Sequence, residues 1–202
     1  MIAILDYGSG NLRSAQRAFA TTGEEVVVTA DKKICLRAAG LVVPGVGAFQ
    51  SCMKGLLQVG GDQIIRERIA SSLPTLGICI GMQILFESGL EPSRENAGPT
   101  RGVGVWPGSV SRLNAPVLPH MGWNTISAAK GSILFKGIEK QSFYFVHSYA
   151  AKVAVGNHSS WSDYGGSFVS AVEEGIVSAT QFHPEKSGRA GLVLIKNWIE
   201  TL

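Results

Sequence analysis

Leu73-Pro74-Thr75-Leu76-Gly77-Ile78-Cys79-Ile80-Gly81-Met82-Gln83 is the most informative stretch of this chain. The apolar run Leu73 to Leu76 predicts a strand continuing to Cys79, and Met82, Leu85 and Phe86 recur at helical spacing, which predicts a helix from about Gly81. Between them stands G-x-C-x-G, the cysteine form of the nucleophile elbow, in which glycines permit a sharp turn and the helix start faces the reacting atom. Far downstream, His183-Pro184-Glu185 offers a base and an acid to orient it. Together these residues point to a Cys-His-Glu enzyme.

The flanking sequence carries the same strand and helix rhythm. Met1 to Leu5 predicts a strand, Asp6 to Asn11 a loop, and Leu12, Ala15, Phe19 and Ala20 a helix. Strands are predicted at Glu25 to Thr29 and at Leu41-Val42-Val43-Pro44, the latter entering Gly45-Val46-Gly47-Ala48-Phe49. A helix over Cys52 to Ile69, broken near Gly60-Gly61, follows. This alternation builds a parallel sheet with helices on its faces, so the class is α/β with a mixed, largely parallel sheet. From Val105 onward the runs are short and strand-like: Val117-Leu118, Phe143 to Val146, Ala150 to Val155, Phe168 to Val172 and Val177 to Phe182. They predict additional antiparallel strands in the second half. Leu192, Ile195, Trp198 and Ile199 predict a C-terminal packing helix, and Leu90 to Gly104 reads as a loop near the active face or a partner.

Composition narrows the function classes. The 202 residues show no shift between halves, so a single domain over 1–202 is expected. Basic and acidic residues are scattered to a net charge of only +3, without the basic run that tracks a phosphate backbone, and no nucleic-acid partner is predicted. The start, Met1-Ile2-Ala3-Ile4-Leu5-Asp6, lacks the features of a signal peptide, and no apolar stretch is long enough to span a bilayer. A cytoplasmic protein without membrane association is the expectation. Cys35, Cys52 and Cys79 lack C-x-x-C spacing, which predicts reduced thiols and no structural metal, with Cys35 and Cys52 as small buried hydrophobes.

The chemistry needs more than a thiol. A free cysteine has a pKa of about 8.5, so Cys79 requires help. The start of the following helix favours negative charge, and His183 can take the proton. If the segment is extended, residues 183 and 185 face the same way, and Glu185 holds the imidazole in the accepting tautomer. Acyl transfer also needs donors for the oxyanion. Ile80 supplies one N–H, and the glycine-flanked turn Gly45-Val46-Gly47 supplies the second, from Val46 or Gly47.

Asp6-Tyr7-Gly8-Ser9-Gly10-Asn11-Leu12, Pro44-Gly45-Val46-Gly47-Ala48-Phe49, the elbow, Pro119-His120-Met121-Gly122-Trp123-Asn124, Tyr144-Phe145-Val146-His147-Ser148-Tyr149 and Gln181-Phe182-His183-Pro184-Glu185-Lys186-Ser187 span nearly the whole chain. With these segments the chain resembles the class I, triad-type glutamine amidotransferases, and more narrowly the glutaminase subunits of imidazole glycerol phosphate synthases of histidine biosynthesis. The resemblance implies that Cys79 attacks the glutamine side-chain amide, that His183 protonates the departing ammonia, and that a glutamyl thioester is hydrolysed. It implies no cofactor and no metal. It also implies a separate (β/α)₈ cyclase subunit as heterodimer partner, which receives the ammonia through a tunnel. By the same resemblance Gly45, Gln83, Glu91 and the backbone of His147-Ser148-Tyr149 contact the substrate glutamine. His120, Trp123 and Lys186 are expected near the cyclase interface.

Two rivals are weighed against this. Glutaminases that feed pyridoxal phosphate synthase look to carry Gly-Gly-x-Ser where this chain has Pro44-Gly45-Val46-Gly47. A non-catalytic binding subunit that kept the fold is opposed by the intact Cys79, His183 and Glu185. The paired glycines around Val46 also predict an oxyanion strand that rests with one peptide plane turned away and is shifted by the partner.

Overall fold

The apolar runs at Ile2–Leu5 and Gly40–Gly45 become strands buried on both faces, as central parallel strands require, while the run at Val26–Thr29 is a half-buried edge strand. In the computed structural model, which describes residues 1–92 and 98–202, β1 (Ile2–Leu5), α1 (Leu12–Ala20), β2 (Val26–Thr29), α2 (Lys32–Arg37) and β3 (Gly40–Gly45) open the chain. Next come α3 (Phe49–Gln58), α4 (Gly61–Ala70), β4 (Thr75–Cys79) and the single turn α5 (Ile80–Gln83). The second half holds β5 (Phe86–Gly89), β6 (Thr100–Arg101), β7 (Trp106–Arg112), β8 (His120–Thr125), β9 (Ser142–His147) and β10 (Tyr149–Ala151). It closes with β11 (His158–Asp163), β12 (Ser167–Glu174), β13 (Val177–Thr180), a 3₁₀ turn at Pro184–Lys186 and α6 (Gly188–Ile199).

Among the described residues the main sheet has seven strands in the order β11-β12-β13-β4-β3-β1-β2. Strands β2, β1, β3, β4 and β13 run parallel to their neighbours, while β12 and β11 return antiparallel. Every residue of β1, β3 and β4 is buried. Pro44 is tolerated in β3 because it comes after Val42, the last residue paired to β1. There is a second sheet, β10-β7-β5-β6, and an antiparallel pair, β8-β9; residues 146–149, where β9 passes into β10, line one cleft with Cys79, at which β4 finishes.

Local chemistry explains the elements. Asn11 caps α1 by accepting from the Ser14 N–H, and the buried stripe is Ala15, Ala18 and Phe19, with Ala20 exposed instead of inward. Phe19 meets Trp198 of α6 edge-on with centroids 5.8 Å apart. The break expected near Gly60-Gly61 is the joint between α3 and α4, with Gly60 in the left-handed region. Arg68 of α4 is fully buried and donates to the carbonyls of Cys35, Ala38, Ala39 and Pro74, which joins the end of α2 to the starts of β3 and β4.

Several expectations are corrected. The helix predicted from about Gly81 is one turn long. The carbonyls of Ile84, Leu85 and Phe86, which a longer helix would use, accept instead from Val103, Val105 and Gly104. Part of the predicted Leu90 to Gly104 loop is therefore the short strand β6, and residues 93–97 of it lie outside the described residues. Val117-Leu118 forms bends, and the run from Ala150 keeps strand structure only to Ala151. Helix α2, with one buried residue, Cys35, gave no periodic signal; the Asp31 side chain starts it by accepting from the Ile34 N–H at 3.0 Å.

Candidate active site

The nucleophile position is made by backbone packing. Cys79 ends β4 with φ 57° and ψ −111°, a conformation that costs a non-glycine residue about 1–3 kcal/mol. It persists because β3, β4 and α5 are pressed together where side chains are missing. A Cβ on Gly45 would lie 2.7 Å from the Gly81 nitrogen, one on Gly77 would lie 2.7 Å from the Gly81 oxygen, and one on Gly81 would strike the Val43 carbonyl. The elbow predicted from G-x-C-x-G is thus present, with the thiol lining a cleft of about 640 Å³.

The histidine arrives from the other side of β4. After β13 the chain passes through Phe182, which is fully buried against Phe143, Phe145 and Phe135. Truncating such a ring costs about 3–5 kcal/mol, so the aromatic cluster is a firm base for the next residue. The His183 N–H donates to the Tyr144 carbonyl at 2.9 Å, and its own carbonyl accepts from Ser187 Oγ at 2.7 Å. His183 Nδ1 and Glu185 Oε1 are 2.7 Å apart, and both side chains are almost completely buried. They meet through the 3₁₀ turn at Pro184–Lys186 and not through the extended backbone expected.

Glu185 can only accept when ionised, so Nδ1 carries a proton and Nε2 is the working nitrogen. His183 Nε2 is buried and has no hydrogen-bond partner among the described residues. Burial pulls this imidazole down, but the neighbouring Cys79 sulfur and Glu185 carboxylate outweigh it and raise the pKa to about 10. The rise comes from pairing the protonated ring with the sulfur and the carboxylate, so transfer of the Cys79 proton to His183 is favoured.

The remaining predicted residues take specific places. Val46, Gly47, Ile80, Gln83, Glu91, His147, Ser148, Tyr149 and Lys186 all line the same cleft as Cys79 and His183. Gly45 lies behind it, against Gly81. The Val46 N–H is already committed, donating to Ser9 Oγ at 3.1 Å, while Ser9 Oγ donates to the Val46 carbonyl at 2.8 Å. Gln83 is buried, its Nε2 donating to the Tyr149 carbonyl at 2.8 Å and to Gln181 Oε1 at 2.9 Å. Glu91 Oε2 accepts from the Phe49 N–H at 2.9 Å, at the start of α3. Trp123 is 59% exposed beside the similarly exposed Met121, and the Lys186 ammonium stands 6.0 Å from the Tyr144 ring centroid. His120, expected near the interface, is buried beneath that face, stacked between Tyr164 and Phe145.

Further participants escaped the sequence reading. Gln181 donates to Cys79 Sγ at 3.8 Å, and Ser187 holds both the Tyr144 N–H and the His183 carbonyl. Their nearness in sequence to His183 was the available signal. Behind the oxyanion strand, Cys52 is buried as expected, but its sulfur also meets Ser9 Oγ at 3.1 Å and the Val46 carbonyl at 3.3 Å. Tyr7 OH donates to the Pro44 carbonyl.

Residues 3–201 match the family described as Glutamine amidotransferase class-I. Over 205 aligned residues, covering 100% of this chain and 98% of the relative, the sequence is 56% identical to the imidazole glycerol phosphate synthase subunit HisH of Mycolicibacterium paratuberculosis. The protein of that name from Thermobifida fusca is 53% identical over 211 residues, again with 100% and 98% covered. Among solved structures, a glutamine amidotransferase superposes with a TM-score of 0.74 at 19% identity, covering 98% of this chain and 97% of the other. The PurLQS structure from Thermotoga maritima gives 0.68 at 15% identity, covering 99% and 97%. At such identities these two likenesses speak for the fold alone.

Proposed function

This chain belongs to the class I glutamine amidotransferase family, and we propose that it is the glutaminase subunit of an imidazole glycerol phosphate synthase, working as one domain in the cytoplasm. The observation that carries the chemistry is the buried, unpartnered His183 Nε2 in the Cys79 cleft, with Nδ1 held by Glu185. Among the described residues no helix is long and apolar enough to cross a membrane.

His183 takes the Cys79 proton and the sulfur attacks the glutamine amide carbon. The tetrahedral oxyanion is received by the Ile80 N–H and by an N–H of the Gly45-Val46-Gly47 strand. Collapse expels ammonia, protonated by His183, and leaves a glutamyl thioester. Water activated by the same imidazole then releases glutamate. Glu185 orients the ring throughout and offsets its positive charge. Glutamine lies between Gln83, Glu91 and the backbone of residues 147–149, and the ammonia passes to a (β/α)₈ cyclase docked over Trp123 and Lys186.

In the chain alone the oxyanion strand rests with the Val46 N–H turned to Ser9, and docking of the cyclase with its ligand frees it. The test is glutamate release by the purified chain with and without its cognate cyclase and ribonucleotide ligand, with Cys79→Ala as blank. Strong stimulation by the partner is expected. Full turnover by the chain alone would overturn the gated reading, and no Cys79-dependent release in any condition would favour a binding subunit.

A further inference from the structure

The two histidines beneath the Trp123 face form, with the substrate pocket, a chain of hydrogen bonds whose direction is fixed at both ends. The Tyr149 carbonyl only accepts, so His147 Nδ1, 2.9 Å away, must be the donor. A neutral His147 then presents a bare Nε2 to His120 Nδ1 at 3.0 Å, which must carry the next proton. His120 Nε2 is left as an acceptor, and Asn124 Nδ2 stands 3.3 Å from it while donating its other hydrogen to the Asp163 carbonyl at 2.9 Å. Each group has one satisfactory role. Adding a second proton to either ring would set donor against donor, and reversing Asn124 would cost the Asp163 bond. Burial supports the neutral assignment, lowering His120 to about 4 and His147 to about 3.

From this geometry we infer that His120 is a positioning residue for glutamine binding, acting through His147 on the turn at residues 147–149. The turn is where β9 ends and β10 begins, and its residues line the cleft. The Tyr149 carbonyl is held there by His147 from one side and by Gln83 from the other. Gln83 in turn bonds Gln181, which donates to the Cys79 sulfur. One continuous polar path therefore runs from strand β8 to the nucleophile, and His120 fixes its sense. The inference rests on the glutaminase reading for the identity of the ligand, but the hydrogen-bond order stands on its own geometry.

Three substitutions separate the ring from the proton. His120→Asn places an amide nitrogen near the position of Nδ1 and loses the stacked ring, His120→Gln reaches toward Nε2 only, and His120→Phe keeps a ring without a donor. In the complex with the cyclase, His120→Asn is expected to hold the glutamine KM within about twofold of wild type. His120→Gln and His120→Phe should raise it about tenfold with kcat changed much less. A KM that follows the ring, with Phe near wild type and Asn equal to Gln, would overturn the inference. The unsubstituted chain gives a second reading: long-range ¹H–¹⁵N spectra at neutral pH should show both imidazoles as Nδ1–H tautomers, the less common form of a free side chain. An Nε2–H tautomer at either histidine would overturn it. Should glutamate release prove independent of Cys79, the glutaminase reading falls by itself, and the tautomer spectrum still decides the order of the chain.

Discussion

Cys79 and His183 reach one cleft by different means. At Cys79 the main chain itself aims the reacting atom: a left-handed residue is wedged among Gly45, Gly77 and Gly81, where no additional atom fits. At His183 the main chain is relaxed and extended, and the ring is aimed by Glu185 and by Ser187 and Tyr144 on its backbone, over a bed of phenylalanines. Steric aiming is rigid and admits few alternatives. Aiming by hydrogen bonds is graded, because each bond can be removed singly at a cost of roughly 1 kcal/mol or somewhat more.

The sharpest attempt to break this contrast is Gly81→Ala. Its Cβ has no room against Val43, so glutamate release should fall about 10⁴-fold, the scale of loss seen when a triad is misaligned, although circular dichroism still reports a folded chain. Near-normal turnover would show that the elbow is softer than its packing implies. On the graded side, Glu185→Gln keeps a bond to Nδ1 and loses the charge, and should lower kcat about 100-fold with KM little changed. If it matched Gly81→Ala, the two ends would be equally intolerant. Ser9→Ala tests a backbone N–H of the first region that is held by a side chain. Freeing the Val46 N–H should raise turnover of the chain without cyclase about fivefold, and unchanged or lower activity would remove Ser9 from the resting state.

The smallest effect is in acid stability. His120 and His147 have folded pKa values of about 4 and about 3, below the ordinary 6.5, so the unfolded chain binds more protons as pH falls from that value. Stability contributed by their neutral forms is present at neutral pH and lost on acidification. His183 has the opposite sign: raised to about 10, it stabilises fully below 6.5 and loses that contribution as pH rises through its folded pKa. Melting temperature should drop about 5 °C between pH 7 and 5, and Cys79→Ala should diminish the loss on the alkaline side by removing the sulfur that raises His183. A melting temperature flat from pH 7 to 5 would contradict the buried neutral pair.

What could be read directly from sequence follows from how each signal is encoded. Strands β1, β3 and β4 are buried throughout and announce themselves as apolar runs, and the elbow is written in contiguous glycines. Strand β11, His158-Ser159-Ser160-Trp161-Ser162-Asp163, is too polar to show an alternating pattern, since its serines satisfy themselves through bonds such as Ser162 Oγ to the Thr125 carbonyl. The length of α5 was illegible because its termination comes from residues 102–105, distant in sequence. The Cys-His-Glu set was found from local motifs. The burial of His120 was not, because the rings of Phe145 and Tyr164 that cover it come from other elements. Gln181 likewise gains its contact with Cys79 only when β13 pairs with β4.

All three thiols are buried, and burial pushes those of Cys35 and Cys52 up, but only Cys79 lines the cleft, beside the His183 imidazole. A native sample treated with a small haloacetamide near neutral pH therefore takes label at one sulfur, and the moles incorporated per mole of chain count competent pockets. Protection of that label by glutamine makes the protein its own titrant for ligand occupancy, and the two further equivalents taken up on warming date the moment at which the interior opens.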